Sequence, residues 1–310
     1  MGLSFENPKS LLEAYSSGFT GAFCDKRDLD KLLGQLPHPL FSVAADNLAG
    51  TGEGKISLPF KCLMKFEPNF GSYERQETGD CVSHATRNAV DVSRAVEIFN
   101  GDKEDFILRG ATEGIYGSRG FTGQGMSCSQ AARFVSTQGG ILLRKKYDFA
   151  DLSQYNPQVG MNWGGRGVPQ SVITEASKHQ VKTVSLIHSV EAARDAIANG
   201  YAISVCSDQG FSSTRDKNGI ANAEGNWGHA MAWIGCDDSR EIFNEILFLV
   251  QNSWGLWNNG PKRLGQPDGS FWIRESVARR MLAQDGSFVF SNVDGFEARK
   301  VNWNLMDEGV

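Results

Sequence analysis

Downstream of Asp80, apolar residues recur at helical steps. Ala85, Ala89, Val92, Val96 and Phe99 lie four, three, four and three apart, so a helix puts them on one face, while Arg87, Asp91 and Arg94 fall elsewhere. This spacing predicts a long helix that begins at Cys81 and buries one face. A second helix is expected over 129–137, ended by Gly139-Gly140, and a third over 190–198, ended by Gly200. After Gly200 the pattern changes to short apolar runs at 202–206, 229–235, 246–251 and 270–273, separated by loops rich in Asn, Asp and Gly, which predicts strands. Helices first and an antiparallel sheet later make an α+β protein of two lobes. Upstream, two amphipathic stretches at 9–15 and 25–36, parted by Ser16-Ser17-Gly18 and closed by Pro37-His38-Pro39, predict a helical extension over 1–56.

Composition narrows the function classes. The 310 residues are 40% hydrophobic and 22% charged, an ordinary globular balance. The net charge of −5 and the lack of a Lys/Arg block leave no basic surface for a phosphate backbone, so nucleic acid is not expected as a partner. No apolar run approaches the roughly 20 residues of a membrane span, and the N-terminus lacks a cationic segment followed by an apolar one. The expectation is no membrane partner and a cytoplasmic or particle-associated protein. Six cysteines lie far apart without a C-x-x-C pair, which predicts neither a metal site nor a disulfide framework and favours a reducing compartment. The stretch Asn47 to Lys55 has the glycines of a phosphate-binding loop but is one residue short and lacks Ser/Thr after the Lys, so it reads as a linker.

The candidate chemistry centres on Gln76-Glu77-Thr78-Gly79-Asp80-Cys81. A thiol in the first turn of a helix faces unpaired backbone N–H groups and the positive end of the dipole, which favour thiolate. Taken alone, Cys81 is equally a small core residue. Two later segments change the balance. Trp227-Gly228-His229-Ala230 puts a His at the start of an apolar strand, and Val250-Gln251-Asn252-Ser253-Trp254-Gly255 ends another strand on an Asn. His84, three residues beyond Cys81 on its helix, is the rival base but brings no orienting partner of its own. His38, His179 and His188 carry no partner motif, and Cys24, Cys62, Cys206 and Cys236 read as buried or incidental thiols.

The ordered set of Gln, Cys at a helix start, His-Ala-x-x-x-x-Gly and Asn-Ser-Trp-Gly resembles the papain-like cysteine peptidase family. Gly269-Ser270-Phe271-Trp272-Ile273 is similar to that family's closing Gly-aromatic strand. The resemblance covers about residues 57 to 280. It implies a papain-like two-lobe fold with the active-site cleft between a helical lobe and an antiparallel sheet or barrel lobe, and a catalytic domain at 57–285 followed by a packed C-terminal tail at 286–310. It also implies roles. Cys81 would be the nucleophile, His229 the base, Asn252 the residue orienting that base, and Gln76 an oxyanion donor. Cys81 and His229 would rest as thiolate and imidazolium. Gly123 and Gly125 would line the substrate wall, Trp254 would shield the His–Asn bond, and Trp257 would wall the leaving-group side. No cofactor is implied, and the substrate would be a peptide or protein.

Four departures stand out: the Gln to Cys spacing is one residue short, Val82 replaces the Trp expected after the nucleophile, the Cys expected three residues before it is absent, and the second Trp after Asn252 comes one position early. Cys128 matches a wall position often bridged in that family, yet no partner for it is evident. Besides a peptidase, the sequence leaves open a related Cys–His amidase or acyltransferase, such as a cell-wall peptide hydrolase. It also leaves open a papain fold kept as a weak or silent docking component of a larger assembly, for instance a phage particle. Residues 1–56 would then dock on an assembly partner, or else cap the cleft.

Overall fold

The computed structural model describes residues 21–101 and 109–303. The chain enters as strand β1 (Ala22–Phe23) and helix α1 (Lys26–Leu33), the latter capped by the Asp25 carboxylate, which accepts from the N–H groups of Arg27 and Asp28. Strand β2 (Ile56–Ser57) and helix α2 (Phe60–Phe66) lead to the 19-residue helix α3 (Cys81–Phe99). The helical lobe continues through β3 (Gly110–Ala111), α4 (Glu113–Gly117), β4 (Met126–Ser127), α5 (Cys128–Arg133), β5 (Leu142–Leu143), α6 (Pro157–Arg166) and α7 (Gln170–Ala176). The sheet lobe comprises β6 (Thr183–Leu186), α8 (Val190–Ala198), the long pair β7 (Ile203–Arg215) and β8 (Ala221–Asp237), β9 (Leu247–Gln251), β10 (Ser270–Arg274), α9 (Glu275–Leu282) and β11 (Ser287–Ser291). The expected stretch at 9–15 lies outside the described residues.

The large sheet runs β10-β9-β8-β7-β11-β6, antiparallel throughout, with β2 added on β8. Its strands alternate between two cores, as a pleat with both faces covered requires. Ala230, Ala232, Ile234, Leu249 and Phe288 join the core that contains α3, whereas Met231, Trp233, Phe248, Val250 and Val289 join the core under α8 and α9. The architecture is α+β, a helical lobe set against an antiparallel sheet. No described helix is long and apolar enough to cross a membrane.

Four expectations are corrected. First, α3 is buried on every side down to Glu97, and the periodic residue that escapes is Phe99, at 49% exposure. Its polar residues are buried because they meet charges from the helical lobe: Arg87 pairs with Glu74, Arg109 with Asp91, and Arg144 with both Glu74 and Glu113. Such a network holds only because every charge finds an opposite one. Second, the helix expected over 129–137 starts at Cys128 and widens over its last turn, Phe134–Gln138, to π geometry before Gly139.

Third, residues 287–291, expected in a C-terminal tail, form β11 in the sheet interior between β7 and β6. A five-residue apolar run carries little periodicity of its own, and its neighbours decide its state. Fourth, Cys206, expected as a buried or incidental thiol, is the partner that was not evident for Cys128: the two form a disulfide with Cα atoms 6.4 Å apart, tying α5 to β7. Their separation of 78 residues hid the pairing. The glycine stretch at 47–55 does bind an anion, but an internal one: the N–H groups of Gly50 and Gly52 donate to the Asp195 carboxylate at 2.8 and 2.9 Å.

Candidate functional site

Cys81 opens α3, and β8 runs across it, bringing the Ala230 backbone up to the first turn of the helix. The backbone N–H groups of Ala230 and Val82 act on the sulfur. His229 sits opposite Ser207 in the β7–β8 register, one step from the Cys206 to Ala230 pair. The end of β9 supplies Asn252. Its Oδ1 accepts from His229 Nε2 at 2.8 Å and from the Ser253 N–H at 2.7 Å. Because a backbone N–H only donates, this oxygen is assigned as the carbonyl, so His229 carries its hydrogen on Nε2 and leaves the Nδ1 lone pair open. Nδ1 has no hydrogen-bond partner among the described residues.

Trp254 covers this pair, its ring centroid 4.7 Å from that of His229 at an interplanar angle of 33°. Trp257 packs edge-on against Trp254 at 5.3 Å and against Trp227 at 5.6 Å. Aromatic cover of this kind excludes water from the His–Asn bond. The same loop orients Gln76, whose side-chain carbonyl accepts from Ser253 Oγ and from Trp254 Nε1. Two donors on the oxygen turn the amide NH2 the other way, and one of its hydrogens goes to the Thr78 carbonyl at 2.9 Å. Gln76 is fully buried.

The loop from Gln76 to Cys81 is held from the helical lobe as well. Gln124 Oε1 accepts from Thr78 Oγ1 and from the Gly79 N–H, and Tyr155 donates to Asp80 at 2.7 Å. Gly125, at φ 91°, lies so close to Gly79 that a Cβ on Gly79 would meet the Gly125 nitrogen. Gly123 is exposed, and its carbonyl accepts from Arg119 Nε at 3.0 Å. Gln124, Ser253 and Tyr155 are thus part of the site's framework without having been singled out from sequence. Gln124 lies between Gly123 and Gly125 and Ser253 follows Asn252, but nothing local marks Tyr155, which arrives from 75 residues beyond Asp80.

His84 does not face His229 as a rival base. Its Nδ1 lies 3.3 Å from Arg87 Nη2 and its Nε2 lies 3.4 Å from Asp80 Oδ2, so both nitrogens are turned to its own helix.

The N-terminal segment occupies the groove between the lobes. β1 pairs in parallel with β4, Ala22 opposite Met126 and Phe23 opposite Ser127, and the Gly21 carbonyl accepts from the Met126 N–H at 2.8 Å. A cavity of about 190 Å3 separates Ala22, Phe23 and Cys24 from Cys206, Ser207, Asp208, Gly228 and Gln284. With the groove filled, Cys81 and His229 are both fully buried. Burial pushes the Cys81 thiol up, and the charge of Asp80 adds to the rise against the backbone N–H groups that act on the sulfur. Burial also pulls His229 down to about 4, outweighing its bond to Asn252. Desolvation of both groups therefore works against the thiolate and imidazolium that the resemblance implies.

No family model matches the sequence, and a search of curated proteins finds no relative. Solved structures do match. Xylellain, a cysteine protease from Xylella fastidiosa, superposes with a TM-score of 0.51 at 15% identity over 94% of this chain and 99% of its own. ProCathepsin B S9 from Trypanosoma congolense superposes with a TM-score of 0.54 at 13% identity over 89% of this chain and 87% of its own. The fold is that of the papain-like cysteine proteases.

Proposed function

We propose that this protein is a cysteine peptidase in which Cys81 attacks the carbonyl carbon of a peptide bond. The observation that carries the reading is the double acceptance at Asn252 Oδ1, which assigns the His229 tautomer and leaves Nδ1 ready to take a proton. In the first step the thiol proton moves to Nδ1 as the sulfur bonds to carbon. The Gln76 amide and the Cys81 backbone N–H are the donors for the oxyanion, each generally worth about 3 kcal/mol. Collapse expels the amine, which takes the proton back from Nδ1 and leaves a thioester. Water, deprotonated by His229, then releases the acid.

An extended peptide suits this groove because β4 already receives an extended strand. A substrate laid on the same edge would gain main-chain hydrogen bonds. In this reading residues 21–24 cap the cleft and must leave before substrate enters.

A second reading is favoured by one observation, the complete burial of Cys81 and His229. It holds that the fold serves docking and the site stays closed. Hydrolysis of a fluorogenic peptide pool separates the two. The peptidase reading expects activity that disappears in Cys81→Ser and His229→Ala; activity that survives Cys81→Ser rejects it. Inactivity of both the intact chain and a chain lacking residues 1–24, each folded, supports the docking role.

A further inference from the structure

Asp80 stands at the N-cap of α3, where an Asp normally accepts from the first free N–H groups of the helix, yet its side chain makes no capping hydrogen bond. The carboxylate is turned instead into the helical lobe. Oδ2 accepts from Tyr155 at 2.7 Å and lies 3.4 Å from His84 Nε2. Tyr155 OH in turn accepts from the Glu77 N–H at 3.3 Å, and its ring meets the His84 ring edge-on at 5.1 Å. Asp80 Oδ1 is buried and has no hydrogen-bond partner among the described residues. Arg87, which only donates, faces His84 Nδ1, while His84 Nε2, though 3.4 Å from Asp80 Oδ2, makes no hydrogen bond among the described residues.

Resting on the reading of Cys81 as nucleophile, we propose that Asp80 is a positioning residue of this site, braced by Tyr155 and packed against His84 so that it holds the turn presenting Cys81 and sets a buried carboxylate one residue before the nucleophile. A half-satisfied carboxylate keeps much of its field at short range in a desolvated site. The groups that face Asp80 are His84 from its own helix, Tyr155 from the segment before α6, and Tyr116 and Arg119 from α4 and the turn after it. With the groove filled, the negative charge opposes loss of the thiol proton to solvent. Proton transfer to His229 then awaits a bound substrate, and the nucleophile is protected from idle oxidation and alkylation.

The test follows thiolate absorbance at 240 nm against pH in the intact chain, each variant read against its own Cys81→Ser counterpart to isolate Cys81. Asp80→Asn is expected to move the Cys81 midpoint down by about one pH unit, giving about tenfold more thiolate at a fixed pH below both midpoints. An unmoved midpoint in a folded Asp80→Asn protein overturns the proposal. If Asp80→Asn does not fold, Tyr155→Phe decides, because it removes the brace and keeps the carboxylate. A kcat lowered about tenfold at unchanged KM supports positioning, and an unchanged kcat overturns it. The two readings fail separately. Loss of hydrolysis in Cys81→Ser beside an unmoved Asp80→Asn midpoint rejects only the role of Asp80, whereas hydrolysis surviving Cys81→Ser rejects the nucleophile assignment itself.

Discussion

Gly21 lies flat against the backbone of Gly79, two residues before Cys81, and a Cβ at Gly21 would run into the Gly79 carbonyl oxygen. Its φ of 117° is also one that side-chain-bearing residues rarely adopt. Gly21→Val is therefore expected to lift β1 out of the groove without shortening the chain. If the covered form predominates, exposing the site raises kcat/KM on a peptide and the iodoacetamide labelling of Cys81 by roughly tenfold or more. Mass spectrometry of each free cysteine checks this, and unchanged labelling of Cys81 would show that β1 does not gate the site.

Gln76 is oriented by Ser253 and Trp254 rather than by its sequence neighbours alone. Gln76→Ala is expected to lower kcat by roughly 10²- to 10³-fold with a smaller effect on KM, the loss typical of one oxyanion donor. Trp254→Phe keeps the aromatic cover and removes one of the two donors to the Gln76 carbonyl, so a smaller loss in kcat is expected. Steady-state kinetics on one peptide decide the order.

Stability should depend on pH through the buried pair. His229 titrates near 4 in the folded chain against about 6.5 unfolded, so the folded state binds fewer protons between those values. The stability this confers is fully present above pH 6.5 and is lost as pH falls through 4, by roughly 3 kcal/mol. Cys81 has the opposite sign: its raised thiol confers stability that is present below about pH 9 and fades as pH rises above it. Urea midpoints from pH 4 to 10 should trace a dome, with the acid limb flattened in His229→Gln and the alkaline limb flattened in Cys81→Ser. An unaltered acid limb in His229→Gln would locate the acid sensitivity elsewhere.

The Cys128 to Cys206 disulfide closes a loop of 78 residues between the lobes. Replacing both cysteines by Ala is expected to lower unfolding free energy by about 4 kcal/mol on the chain-entropy argument. Denaturant melts under non-oxidising and oxidising conditions check this. A double variant as stable as the oxidised parent would argue against a stabilising bridge.

The buried charges around α3 set a separate stability prediction. Burial alone would raise the Glu74 carboxyl, but Arg87 and Arg144 hold it well below the usual carboxylate range. Glu74→Gln strands parts of two buried guanidinium groups and is expected to cost roughly 3–5 kcal/mol. A loss under 1 kcal/mol would mean that water reaches them.

The sequence by itself determined what local periodicity and short motifs encode. The 3.6-residue spacing after Cys81 and the helix over 190–198 were legible because their apolar residues recur at helical steps within one segment, and the runs at 229–235 and 246–251 because their apolar residues pack on both sides of one sheet. Cys81, His229 and Asn252 were legible because each stands at a recognisable end or edge within its own motif. Only the tertiary structure decided what depends on distant partners. The burial of Arg87 and Asp91, the insertion of β11, the Cys128 to Cys206 pairing and the turning of Asp80 toward Tyr155 all require contacts whose free energy appears after the chain has folded back on itself. The desolvation of Cys81 and His229 belongs to the same group. A helix N-terminus favours thiolate locally, but desolvation of the two side chains in the folded chain works against it.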